Sequence, residues 1–191
     1  MARDSRTTKT SLLRAATGEF AEHGIAGARV DRIAAAAGYN KNLIYVHFGS
    51  KDQLFDAVYE DAVKEILDAA PFDADDLPGY AGALFDFHIG HPHLMRLARW
   101  HSLERPGEVL PIAEKANAAK LRALSAAQGE GKVDAGLPPH LLLALLVGLA
   151  MTWSEGSPEP ATADDDAAGI AARRHAVVVS AGRLTRPVPR S

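Results

Sequence analysis

The 191-residue chain reads as all-α, and three features of the sequence carry that reading. Apolar residues recur at helical spacing, alternating strand patterns are almost absent, and glycine and proline break the periodic segments into helix-sized lengths. Leu12, Leu13, Ala16 and Phe20 form an amphipathic stripe over about Thr8–His23, which Gly24 ends. Val30, Ile33, Ala34 and Ala37 make a short second helix that stops at Gly38. Asn40 is placed to cap a third helix carrying Leu43, Ile44 and Phe48. Ser50, with Gln53 three residues on, opens a fourth in capping-box fashion, with Leu54, Phe55, Val58, Ala62 and Ile66 on its apolar face.

The remainder continues the pattern. Pro71–Pro78 is acidic and turn-like, a fifth helix covers about Gly79–Gly90, and Pro92 starts a sixth that reaches about Leu103. After Pro106-Gly107 comes an alanine-rich amphipathic stretch over Leu110–Gln128, then a loop at Gly129–Pro139. Leu141–Trp153 is the eighth helix, followed by a polar loop at Ser154–Pro160 and a ninth helix over Ala163–Leu184. Asp164–Asp166 stands at the start of that last helix, where acidic side chains favour the helix dipole. The tail TRPVPRS is expected to be disordered.

Composition narrows the function. With no cysteine, thiol catalysis, zinc ribbons and disulfide frameworks are excluded together, and a reducing, cytoplasmic setting is expected. The longest apolar run, Leu141–Trp153, is shorter than a bilayer-spanning helix of about 20 residues, so no membrane partner is expected. Net charge is only −3 but uneven. Residues 1–51 hold eight Lys/Arg against four Asp/Glu, whereas the rest holds thirteen against twenty. The N-terminal part is therefore the part suited to a polyanion.

Within it, VDRIAAAAGYNKNLIYVHFGSK (residues 30–51) is two short helices around a glycine turn, the pattern of a helix-turn-helix. Ile33, Ala37, Leu43 and Ile44 can form the shared core. Lys41, Asn42, Tyr45 and His47 then project from the second helix. Lysine and asparagine can hydrogen-bond base edges, and Tyr45 and His47 can donate to phosphate oxygens. Lys51 opens the next helix, where its charge and the helix dipole both attract phosphate.

The segment LLRAATGEFAEHGIAGARVDRIAAAAGYNKNLIYVHFGSKDQLF resembles the N-terminal domain of the TetR family of transcriptional regulators. Matching positions include Ala16, Phe20, Gly24, Val30, Ile33, Ala34, Ala37, Gly38, Tyr45, Phe48, Lys51 and Leu54. The resemblance implies a homodimeric repressor with a DNA-binding domain at residues 1–50 and a helical effector-binding and dimerisation domain at 51–191. It also implies a palindromic double-stranded operator, with half-sites about one DNA turn apart, and an unknown small-molecule effector. The implied DNA-binding set is Arg29, Asn40, Lys41, Asn42, Leu43, Tyr45, His47 and Lys51. Three positions depart from the family pattern. Arg29 stands where Thr or Ser usually caps the second helix, Asn42 replaces a small residue, and Leu43 replaces Thr or Ser. Arg29 can reach the backbone or the minor groove, and Leu43 can touch a thymine methyl or turn inward.

In the body, Leu141–Trp153 is apolar nearly all round, which suits either a subunit interface or a central core helix. The segment FDFHIGHPHLMRLARWHSLE gathers aromatics and histidines at residues 85–104. An effector pocket drawing on Phe85, His88, Met95, Trp100, His101, Met151 and Trp153 is one reading, and core aromatics with solvent-facing or capping histidines is the other. Pro92 interrupts the histidines and no carboxylate completes a ligand set, so neither metal nor cofactor is expected. The alternatives are a DNA-binding regulator without a small ligand and a small all-α enzyme using histidine as acid or base. The sequence offers no nucleophile elbow, phosphate-cradling glycine loop or HExxH, and no enzymatic activity is expected.

Overall fold

The computed structural model describes residues 2–159 and 166–187. Among them are nine α-helices and no strand, as the periodicity predicts. They are α1 (Ala2–Gly27), α2 (Val30–Ala37), α3 (Asn42–Phe48), α4 (Lys51–Ala69), α5 (Leu77–Gly90), α6 (Pro92–Glu104), α7 (Pro111–Gly129), α8 (Pro139–Met151) and α9 (Ala167–Thr185). Two compact units result: residues 1–64 with 93–110, and residues 65–92 with 111–191. This partition differs from a boundary at residue 50, because the first unit also takes most of α4 and nearly all of α6.

The first unit is built on the stripe of α1. Leu12, Ala16 and Phe20 are fully buried with Ile33 of α2, Ile44 of α3, and Leu54 and Phe55 of α4. Phe20 meets Phe55 edge to face, ring centroids 5.2 Å apart. Burial of each large side chain here contributes roughly 1.5–3 kcal/mol, which stabilises helices too short to persist alone. α1 starts six residues earlier than its apolar stripe, and Gly24 (φ 71°) breaks it before a last turn that ends at Gly27.

The second unit centres on α5, which packs along α8 and α9. Its core joins Leu77, Tyr80, Leu84 and Phe85 to Leu124, Leu142, Leu146, Val177 and Ala181. Asp76 caps α5 by accepting the Gly79 N–H at 2.9 Å, so that helix begins two residues before the predicted start. α8 likewise begins at Pro139, a proline in the first turn whose missing N–H costs nothing there. It ends at Met151, leaving Trp153 in the following turn. Asp166 caps α9 by accepting the Gly169 N–H at 2.7 Å. Asp164 and Asp165, the predicted helix start at Ala163 and the tail residues 188–191 lie outside the described residues.

Candidate nucleic-acid interface

The turn between α2 and α3 follows from Gly38, which adopts φ 75° and ψ 28°. In that conformation the Gly38 N–H donates to Ala35 O and the Tyr39 N–H to Ala34 O, satisfying the last carbonyls of α2. Asn40 accepts the Asn42 N–H on its Oδ1 at 2.9 Å, a turn just ahead of α3, whose N-cap is Lys41 and not the expected Asn40. The Asn40 side-chain oxygen is thus engaged by the backbone at the start of α3. Ser50 Oγ accepts the Gln53 N–H at 3.1 Å and opens α4.

Ile44 and Phe48 anchor α3 to the core, so the opposite face of the helix is open. Asn42, Tyr45 and Val46 are exposed on it, Val46 at 76% and Tyr45 at 49%. Leu43 is half-buried, the inward alternative of the two that its sequence allows. Val46, not Leu43, is the apolar side chain presented outward, and sequence reasoning missed it. Lys41 is exposed and pairs with the exposed Asp31 at 3.1 Å, a solvated contact of little strength. His47 is half-buried beside Phe48, and Lys9 of α1 lies over the Phe48 ring at 5.7 Å.

Two anchors hold this arrangement from outside α2 and α3. Lys51 Nζ donates to Ala26 O and Ala28 O, both at 3.3 Å, which ties α4 to the end of α1. The ammonium has three protons, so one remains beyond these two acceptors. Arg29 gives α2 no side-chain cap. Instead its N–H donates to Glu19 Oε1 at 2.8 Å, and Arg32 holds the same carboxylate through Nε at 2.8 Å. Glu19 therefore ties the start of α2 to α1 through the N–H of the N-cap residue. Burial opposes its ionisation, but Arg32 and the Arg29 N–H outweigh that effect and hold its pKa below the ordinary value.

The proposed pocket residues divide between the units. In the first, Met95 and His101 are buried, and His101 stacks on Tyr59 at 4.3 Å. Trp100 donates its Nε1–H to Ala21 O at 3.2 Å. In the second, Phe85 is fully buried and meets Trp153 edge to face at 6.4 Å. His88 is buried with Nδ1 facing Ala150 O, whereas Met151 is exposed. Packing and internal hydrogen bonds thus occupy most of these side chains. A cleft of about 340 Å³ in the second unit is lined by other residues, Lys120 and Phe72 among them.

A braced pair of short helices, the second offering polar and apolar side chains on an open face, defines a helix-turn-helix DNA-binding protein. Residues 12–58 match the bacterial regulatory proteins, tetR family, and residues 76–183 match the tetracyclin repressor-like C-terminal domain. Over 161 residues, 83% of each chain, the sequence is 42% identical to the HTH-type transcriptional repressor SCO4008 of Streptomyces coelicolor. The structure is similar to that of the S. coelicolor transcriptional regulator SCO4942, with a TM-score of 0.80 and 35% identity over 95% of this chain and 99% of that one. It also shares its fold with AibR, solved in complex with isovaleryl coenzyme A and operator DNA, at a TM-score of 0.71 and 15% identity over 95% and 100% of the two chains. The chain belongs to the TetR family and is a DNA-binding transcriptional regulator.

Proposed function

We propose that the chain is a cytoplasmic homodimeric repressor that occupies a palindromic operator and leaves it when a small molecule binds the second unit. The exposed face of α3, with Asn42 and Val46 one turn apart, is the observation that carries the DNA-reading part. Asn42 reads a base edge, Lys41 reaches a base or phosphate after leaving Asp31, and Tyr45, His47 and Lys51 hold phosphates. Arg29 is exposed at the start of α2 and adds a backbone contact. Asn40 and Leu43 serve the shape of α3 and do not read DNA directly.

A face of α8 supports the dimer. Leu141, Leu145 and Met151 are 46%, 48% and 37% exposed, in line with the exposed Ala144 and Gly148, while Leu142, Leu146 and Ala150 fill the core of the second unit. An apolar face of that kind is suited to a second copy of the chain. No helix among the described residues is long and apolar enough to cross a membrane.

The experiment is binding of the purified chain to genomic DNA fragments at moderate salt, where a strong preference for a few fragments is expected. Equal binding to all fragments sinks the reading. Lys51→Ala should weaken binding to every sequence and reduce the salt slope by about one at most. A loss confined to one base pair would contradict its role at phosphate.

A further inference from the structure

The cleft in the second unit lies where the end of α4 and the residues after it face α7. Leu67, Ala70 and Phe72 line one side, and Ala116, Ala119, Lys120 and Ala123 line the other. The α7 residues recur at i, i+3, i+4 and i+7, so they share one helical face. Three of the four are alanines, and that is why a volume of about 340 Å³ stays open where larger side chains would fill it. The size is at the lower end of the roughly 300–1,000 Å³ found for small-molecule sites.

Lys120 is the one charged residue among those lining the cleft. Its Nζ donates to Tyr80 Oη at 2.8 Å and lies 5.2 Å from the centroid of the same ring. Tyr80 is 3% exposed, and Phe72 meets it edge to face at 4.9 Å. Two exposed lysines of the chain have acids: Lys64 has Glu60 at 2.8 Å, and Lys132 has Glu130 at 3.0 Å and Asp75 at 3.1 Å. Lys120 is more deeply set, yet among the described residues no carboxylate lies within 4.0 Å of its ammonium. Burial accordingly lowers its pKa.

We propose that this cleft binds a small amphipathic monocarboxylate, with Lys120 holding the headgroup and the alanine face of α7 holding the hydrocarbon. One carboxylate oxygen accepts from the Lys120 ammonium. Tyr80, buried and outside the lining, positions that ammonium by accepting from it. One ammonium suits a singly charged carboxylate, whereas a phosphate group calls for more donors. As an effector site the cleft rests on the regulator reading above, but as a binding site it does not.

The test is calorimetric titration of the full chain with octanoate, and with octan-1-ol and octylamine as chains of equal length. Octanoate should bind at least about tenfold more tightly than either, the worth of one charged hydrogen bond. Lys120→Met should erase that preference. Ala119 is exposed, so Ala119→Leu should fill the cleft and weaken octanoate binding without lowering the melting midpoint. Equal binding of all three compounds, a preference for octylamine, or unchanged octanoate binding in both variants would overturn the proposal. If Lys120→Met does not fold, wild-type selectivity and Ala119→Leu decide it. Octanoate binding at the cleft without any effect on operator affinity keeps the site and removes the effector reading. Operator release by other compounds, with no octanoate binding, overturns the site and leaves the effector reading standing.

Discussion

Glu104 accepts the backbone N–H of Ala26 at 2.7 Å on one carboxylate oxygen and that of Ile25 at 3.0 Å on the other. The end of α6 thereby closes the bend that Gly24 introduces into α1. Gly24 has φ 71° and ψ −177°, a combination open to glycine and strained for any other residue. A side chain there would also overlap Glu104 Oε1 and come within 2.8 Å of the Trp100 ring. Gly24→Ala is expected to cost the first unit about 1–3 kcal/mol from backbone strain alone, read by urea unfolding. Glu104→Ala should cost a similar amount, about 1–3 kcal/mol, because two N–H groups lose a charged acceptor. Wild-type stability in both variants would mean that the bend carries no structural load.

Glu19 supports a second prediction. One carboxylate serves both the Arg29 N–H at the start of α2 and the Arg32 guanidinium. Glu19→Ala should therefore destabilise α2 by about 1 kcal/mol, as the loss of a hydrogen bond does, and lower operator affinity without changing which sequence is preferred. If Glu19→Ala unfolds at the wild-type urea midpoint, the tie from Glu19 to the start of α2 carries no stability.

Local signals made most of the fold legible, and long-range pairings were out of reach. Gly24 and Gly38 stop or bend helices because positive φ is required there, and Ser50 and Asp166 open helices because their side-chain oxygens reach N–H groups three residues on. Glu104 and Ala26 are 78 residues apart, and no periodicity connects them. The first turns of α1 were hidden because residues 3–7 carry no apolar stripe. At the interface, Val46 could have been found: Ile44 and Phe48 define the buried face of α3, and Val46 stands opposite. The histidines were harder to read, since His88 and His101 have the composition of a site and the burial of a core.

The exposed pair on α3 separates two kinds of DNA reading. Asn42→Ala should relax preference at one base pair by about 1–3 kcal/mol and leave the others unchanged. Val46→Ala should relax preference at a neighbouring thymine by less, because only apolar contact with the C5-methyl is lost. Replacing individual operator thymines with uracil tests this directly. Wild-type affinity should fall at one position, and Val46→Ala should be insensitive to the same replacement. If uracil affects both proteins equally, Val46 does not read that methyl group.

Acid should destabilise the second unit through His88. The ring is 3% exposed, and its Nδ1 faces Ala150 O at 3.4 Å. A carbonyl only accepts, so the neutral ring carries its proton on Nδ1 and donates. Burial pushes the His88 pKa below its ordinary value, and the hydrogen bond to Ala150 opposes that only in part. The unfolded chain, with an ordinary histidine pKa of about 6.5, therefore binds a proton more readily than the folded one. The contribution of neutral His88 is fully present above about pH 6.5 and is lost as pH falls from there through the folded value. His101 in the first unit shifts in the same direction, from burial first and the Arg105 charge second. Urea midpoints measured from about pH 7.5 down to 5.5 should fall, and His88→Gln, which retains a donor for Ala150, should flatten the dependence. A wild-type midpoint that rises on acidification would show that His88 gains a proton on folding, contrary to its burial.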